Sequence, residues 1–219
     1  MVLFLWTGIV CAQKDVTCFM GIPVDGTKSA MIQKLKAKGF KYDSTLDLLT
    51  GRFNGYEVMV GVVTHNDKVW RIMLQDKNGT DEGNIKIRFN NLFWQFGRNE
   101  KYLAYDKNAI LGEDERIGYE MLVNHKRYEA IFLQSPRKME TFSDEERWEI
   151  LRSLGYEAED VNTLTEEQKI QMGNEFAGYV LENYWLKKPV WFMIEGSGTN
   201  YRILMYYDNE YNKADGEDL

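Results

Sequence analysis

The sequence predicts an α+β protein in which antiparallel sheets, built from β-hairpins, are packed with helices. Three stretches, 56–75, 117–134 and 190–207, each contain two apolar runs joined by a short turn, which is the pattern of a hairpin. Three others, 27–38, 85–98 and 165–186, repeat apolar residues at the spacing of an amphipathic helix. Because the hairpin loops are short, few parallel strand pairs are expected.

The first helix is predicted from Thr27 to Lys38. Thr27 stands where an N-cap belongs, Met31 and Leu35 face inward one turn apart, and Gly39 ends the helix. The hairpin 56–75 follows and turns at residues 65–67. The chain up to residue 75 therefore supplies one helix and at least two long strands.

The second helix, 85–98, is predicted to bury one stripe of large apolar side chains. At 100° per residue the stripe contains Ile85, Phe89, Leu92, Phe93 and Phe96. Ile87 and Trp94 fall on the opposite side of the same helix. This pair either packs under a second layer or marks a contact surface.

The second half is predicted to contain a hairpin at 117–134, two helices and the C-terminal hairpin. Ser143 caps the first of these helices and Thr165 opens the longest one. The hairpin 190–207 turns at a glycine loop, residues 196–200, and its strands are almost continuously apolar. That pattern predicts that both faces of these strands are covered.

A weak internal repeat suggests two related α/β units. The segment Val69–Leu74 resembles Asn200–Met205, and each closes a predicted hairpin. The low-signal connection before residue 115 gives the preferred boundary. The predicted division is a signal peptide at 1–12, a first unit at 13–112 and a second at 113–219, the two units forming either separate domains or one compact domain.

The first 12 residues resemble the apolar core of a secretory signal peptide. They are too short to span a bilayer, which takes about 20 residues, and small residues precede a cleavage position before Gln13. No Lys or Arg precedes the apolar run, which departs from the pattern. The expected location is periplasmic or extracellular. A lipoprotein with Cys11 as the lipidated residue is the less favoured alternative.

Overall charge limits the classes of partner. The net charge of −7 argues against nucleic-acid binding, which depends on clustered Lys and Arg. The lysine cluster at positions 34, 36, 38 and 41 is interpreted as the solvated face of a helix and its exit. No membrane span is predicted in the rest of the chain.

No catalytic, cofactor-binding or metal-ligating residue is predicted. The two histidines, His65 and His125, fall in predicted turns, and no zinc-ligand spacing occurs. The acidic cluster at 113–115 is interpreted as a solvated loop rather than half of a glycosidase pair. The aromatic residues exceed what a core of this size needs, which suggests an exposed subset for protein or carbohydrate recognition. The candidate binding residues are Ile87, Trp94, Trp191 and Tyr206.

Three segments resemble a family of secreted proteins from Bacteroides and related gut bacteria. These are Phe19 to Thr27, residues 34–40, and the ending from Tyr206 to Leu219. The resemblance implies a signal peptide and an α+β body, and it assigns no catalytic residue. The succession of helix and hairpin units is also loosely similar to the fold of β-lactamase-inhibitor proteins, a likeness that implies no function.

Two functions of different classes follow from these observations. The first is a secreted or periplasmic module that binds an unknown protein or glycan without a cofactor. The second is a hydrolase that uses carboxylates on an envelope or dietary polymer. An enzyme should show a deep pocket with two convergent acids of shifted pKa, whereas a binding module should show an apolar patch with a polar rim.

Overall fold

A computed structural model describes residues 15–106, 108–136, 138–157 and 163–214. The predicted signal peptide, its cleavage before Gln13 and the candidate lipidation site Cys11 lie outside these residues. The described helices are α1 (Lys28–Ala37), α2 (Glu82–Gly97), α3 (Ile117–Val123), α4 (Asp144–Ser153) and α5 (Glu166–Val180). The strands are β1 (Cys18–Phe19), β2 (Ile22–Pro23), β3 (Lys41–Asp43), β4 (Leu48–Phe53), β5 (Tyr56–His65), β6 (Lys68–Asp76), β7 (Tyr102–Ala104), β8 (Glu129–Gln134), β9 (Pro189–Ser197) and β10 (Asn200–Asp208).

One eight-stranded sheet organises the fold, in the order β3-β4-β5-β6-β10-β9-β8-β7. Every described strand pair is antiparallel, which confirms the predicted α+β class with hairpin-built sheets. The order is symmetric about its centre. Helix α1 precedes β3 to β6, helix α2 precedes β7 to β10, and the last strands of the two sets, β6 and β10, pair with each other.

The weak sequence repeat lies in these two central strands. Val69–Leu74 belongs to β6 and Asn200–Met205 to β10. The boundary predicted at residue 112 falls between β7 and α3, after the second half of the sheet has begun. Both halves contribute to one buried apolar cluster.

Helices α1 and α2 each begin at a capped residue. The Thr27 side chain accepts a hydrogen bond from the amide of Ala30, as predicted. Asp81 accepts a hydrogen bond from the amide of Asn84 at 2.9 Å, so α2 starts three residues before its predicted start. The polar first turn of α2 carries no apolar periodicity, which is why the pattern placed its start too late.

Helices α1 and α2 cover one face of the sheet. The predicted stripe of α2 is buried, and α1 buries Met31, Ile32 and Leu35. They share a cluster with inward side chains of the strands, among them Val60, Ile72 and Phe192, all fully buried. We call the sheet face on which α1 and α2 pack the covered face.

A buried ion pair also joins α2 to the sheet. Arg88 donates from Nε and a terminal nitrogen to the two carboxylate oxygens of Asp76, at 2.7 and 2.8 Å. Both side chains are 7% exposed. The guanidinium carbon lies 3.3 Å from the ring centre of Tyr56. The pair fixes the helix on strand β6 by a bidentate contact.

The prediction of a hairpin at 117–134 is wrong. Residues 117–123 form α3, and only the second segment is a strand, β8, which pairs with β7 and β9. Ile117 is fully buried, and Met121, one helical turn later, packs against the same core. The short apolar run suits both periodicities, so packing decided between them.

A helical insert connects β8 to β9. It contains a 3₁₀ turn (Met139–Thr141), α4, α5 and a π-helical turn (Leu181–Trp185). The predicted caps at Ser143 and Thr165 both form complete capping boxes. The insert has its own small cluster of buried residues, Phe142, Ile150 and Val180. Within the described residues, no helix has the length and apolar content that crossing a bilayer requires.

Candidate functional site

The face of the sheet opposite α1 and α2 carries a second set of apolar side chains. Successive residues of a strand point to opposite faces, so the inward residues of β9, such as Phe192, alternate with Trp191 and Met193. These outward side chains are half-buried rather than covered. The expectation that both faces of the C-terminal strands are covered is met at the end of β10, where residues 205–208 are all buried, but not along the rest of the described hairpin. We call the sheet face opposite α1 and α2 the open face.

Strand register aligns the outward side chains into rows. One row runs from Leu48 through Gly61, Met73, Tyr206 and Trp191 to Ile131 and crosses six strands. A parallel row contains Thr50, Met59, Gln75, Leu204, Met193 and Glu129. We define the open-face patch by the large apolar members of both rows: Leu48, Met59, Met73, Ile131, Trp191, Met193, Leu204 and Tyr206.

Trp191 and Tyr206 are opposite one another in the C-terminal hairpin and stack. Their ring centres are 4.1 Å apart with an interplanar angle of 22°. Sequence analysis singled out both residues as candidates, and the hairpin brings them together. Burial raises the pKa of Tyr206, so its phenol is neutral at physiological pH and can donate a hydrogen bond.

An Arg–Asp pair fixes this stack at one end. Arg71 of β6 donates from Nε and a terminal nitrogen to the carboxylate of Asp208 on β10, at 2.7 Å each. The Trp191 indole N–H donates to the same carboxylate at 2.9 Å. The Arg71 guanidinium carbon lies 4.6 Å from the ring centre of Tyr206 and 4.3 Å from that of Trp70. These contacts hold the aromatic side chains in fixed positions.

Charged side chains border the open-face patch. Glu195 accepts a hydrogen bond from Gln75 at 3.1 Å, and Arg127 lies 2.8 Å from Glu129. The Nε atom of Arg202 is buried and has no hydrogen-bond partner in the part of the chain that the structure describes. An apolar centre with a charged border is the arrangement of protein-binding surfaces.

The other two candidate residues lie on a different surface. Ile87 and Trp94 are 61% and 50% exposed on the outer side of α2, beyond the helix layer that covers the opposite face of the sheet. The Trp94 ring contacts the ring of Phe93. The guanidinium carbon of Arg98 lies 5.9 Å from the centre of the Trp94 ring. The four candidates therefore form two separate groups rather than one site.

Sequence analysis missed several members of the open-face patch. Met193 and Leu204 were attributed to strands covered on both faces, and Met59 and Met73 of the hairpin 56–75 were not considered as site residues. The neighbours of these residues in the sequence are also apolar, so no period-two alternation of apolar and polar residues marked them as the outward side chains of half-covered strands. The pairing of β6 with β10, which brings Met73 beside Tyr206, joins distant parts of the chain and had no local signal.

The acidic loop at 113–115 lies near a cavity of about 260 Å³ that Asp106, Glu115 and Glu129 help to line. Glu115 accepts hydrogen bonds from Lys126, at 2.5 Å, and from the Tyr128 hydroxyl. Both bonds lower the pKa of Glu115, so this carboxylate stays ionised.

Metal ligands do not cluster in the described residues: no group of three or more His, Cys, Asp or Glu side chains could hold an ion there. His65 ends β5, and His125 lies exposed in the turn after α3. Comparisons with protein-family models, with curated proteins and with solved structures found no match for this chain.

Proposed function

We propose that this protein is a binding module that docks a protein partner on the open-face patch. The observation that carries the proposal is the row of partly buried apolar side chains that crosses six strands and includes the stacked Trp191 and Tyr206 rings. Contiguous apolar surface with a charged border is the usual mark of a protein-interaction site. Aromatic residues, Met and Arg are the residue types that interfaces favour.

The side chains support a protein partner more than a glycan. A sugar ring stacks on a free aromatic face, but Trp191 and Tyr206 each cover one face of the other, and Arg71 lies beside the Tyr206 ring. Three methionines, Met59, Met73 and Met193, give the patch unbranched side chains that adapt to an apolar protein surface.

The hydrolase alternative has weaker support. A general acid needs a raised pKa at the working pH, whereas the pKa of Glu115 is lowered by Lys126 and Tyr128. Glu115 therefore presents an ionised, hydrogen-bonded carboxylate to the nearby cavity and is not a proton donor there. A binding function needs only the geometry that the open face has.

We also propose export to the periplasm or cell surface, with the mature chain beginning at Gln13. The support is the apolar segment at 1–12 and its small residues before the cleavage position. Mass spectrometry of the native protein tests this. An intact Met1 or a lipid on Cys11 would contradict the stated form.

Affinity capture with a matched pair of variants tests the binding function. Leu204→Lys places a charge in the middle of the open-face patch, where the half-exposed side chain can reach solvent. Ile87→Lys makes the same change on the outer side of α2. A partner captured by the wild type and by Ile87→Lys, but lost with Leu204→Lys, supports the proposal. Equal capture by all three proteins contradicts it.

A further inference from the structure

A cleft at the β3 edge of the sheet is lined by basic side chains. Its volume is about 490 Å³, and Lys38, Lys41, Arg52 and Lys77 contribute to its wall. One carboxylate, Glu57, lines it as well. With four cations and one anion, the described wall of the cleft has a net positive charge, whereas the net charge of the whole chain is −7. The cleft is therefore a local positive region on an acidic protein.

The path of the chain creates this cleft. Helix α1 ends at Ala37, Gly39 turns the chain at a φ of +96°, and β3 pairs with β4 only at residues 48–50. Beyond Thr50, the outer edge of β4 has no neighbouring strand among the described residues. At Gly51 a Cβ atom would lie 2.5 Å from the Phe40 ring, so this position of the cleft wall has no room for a side chain. Bare backbone and cations thus line one concave surface.

The cations are only partly neutralised by the protein itself. Lys77 lies 3.7 Å from Glu57, and Arg52 donates to the carbonyl oxygen of Gly55 at 3.3 Å. In the described residues, Lys38 and Lys41 have no acidic partner within ion-pair distance. Unpaired cations facing one cavity attract a ligand with more than one negative charge.

We propose that this cleft binds a small oxyanion ligand that carries at least two negative charges, such as a phosphate monoester. The cavity has the volume of small-molecule sites, roughly 300–1,000 Å³. Arg and Lys side chains are the usual protein ligands of phosphate oxygens. The site is separate from the function proposed above, since none of its four cations belongs to the open-face patch.

The structure also divides the lysine cluster seen in the sequence. Lys34 and Lys36 are exposed on α1 and do not line the cleft, whereas Lys38 and Lys41 do. The interpretation as a solvated face suits the first two. The last two share a concave surface with Arg52 and Lys77 from other strands.

Calorimetric titration of the protein with inorganic pyrophosphate at low ionic strength tests the site. The double variant Lys38→Gln, Lys41→Gln should weaken binding at least about tenfold, because it removes two charge-assisted contacts. The double variant Lys34→Gln, Lys36→Gln is the matched control, since it changes the net charge equally and leaves the cleft intact. It should change the affinity less than about twofold, by long-range electrostatics alone.

Two further arms identify the source of the anion. Sulfate should compete with pyrophosphate, and vesicles containing an anionic phospholipid should not bind more tightly than pyrophosphate. Absence of pyrophosphate binding, equal weakening by both double variants, or binding to the vesicles alone would each overturn the proposal. Because all four lysines are exposed, both double variants should keep the fold. Thermal unfolding of each variant checks this.

Discussion

Two bidentate Arg–Asp pairs lie on opposite faces of the central strands. On the covered face, Arg88 comes from α2 and Asp76 from β6, so the pair joins two layers of the fold. On the open face, Arg71 and Asp208 are register partners on β6 and β10, which are already joined by backbone hydrogen bonds. The first pair helps to hold the helix layer on the sheet. The second adds no new contact between elements and fixes a surface of aromatic side chains.

The exposure of the two arginines sharpens this comparison. Arg88 is 7% exposed and Arg71 is 21% exposed. The two carboxylates are both buried, since Asp76 is 7% and Asp208 is 3% exposed. Water can reach the position of the Arg71 guanidinium more readily than that of Arg88, and an unpaired buried charge costs more where water cannot reach it. The two faces should therefore respond differently to the same substitution.

Arg88→Met is expected to have the largest effect. It leaves the Asp76 carboxylate buried without its cation, which costs roughly 3–5 kcal/mol of unfolding free energy. Arg71→Met should cost less, about 2–3 kcal/mol, because the buried Asp208 carboxylate keeps the indole N–H of Trp191 and water can reach the position that the guanidinium leaves. Urea unfolding followed by circular dichroism measures both. Equal losses of unfolding free energy for the two variants would contradict the distinction between the two faces.

The aromatic neighbours Trp191 and Phe192 allow the same test within one strand. Phe192 is fully buried on the covered face, so Phe192→Ala should cost roughly 3–5 kcal/mol. Trp191→Ala removes a half-buried ring and should cost about 1–2 kcal/mol. Urea midpoints of the two variants give the comparison. A larger loss for Trp191 would mean that the open-face patch belongs to the folding core.

A smaller effect is expected at Glu115, whose contacts lie outside both faces. Its pKa is lowered by Lys126 and then by Tyr128, so its contribution to stability is complete above the unfolded pKa of 4.5 and is lost as the pH falls through the folded value. The difference in stability between the wild type and Glu115→Gln should be constant near neutral pH and shrink below about pH 4. It should stay below about 1 kcal/mol because the pair is partly exposed.

Chemical denaturation from pH 7 to pH 3 measures this dependence. Glu113→Gln is the control, since the described contacts of Glu113 involve its backbone carbonyl and not its carboxylate. A wild-type advantage over Glu115→Gln that grew on acidification would refute the assigned sign.

Local patterns predicted much of the fold. The caps at Thr27, Ser143 and Thr165 and the hairpins around residues 66 and 198 depend on residues close in sequence, and the structure has them. The run at 117–123 was assigned to the wrong element because its burial is decided by Ile117, which packs against distant parts of the chain. Short apolar runs do not separate helix from strand by periodicity alone.

At the candidate site, only the contacts between residues close in sequence could be predicted. Trp191 and Tyr206 face each other across a hairpin turn, so their pairing follows from the sequence. The contribution of Met73 and Arg71 depends on the pairing of β6 with β10, whose partner residues are more than 120 positions apart. Which face the helices cover is likewise set by the whole chain. Sequence alone therefore placed Ile87 and Trp94 on an equal footing with Trp191 and Tyr206.

Site-specific photocrosslinking tests the central claim, that the open face is the binding surface, most directly. A photoreactive amino acid is placed at Met73 on the open face and, as the matched control, at Trp94 on the outer side of α2, in the cells that make the protein. The account predicts a discrete protein adduct from position 73 that the Leu204→Lys change abolishes, and no adduct from position 94. An adduct from position 94 alone, or adducts from position 73 that Leu204→Lys leaves unchanged, would contradict it.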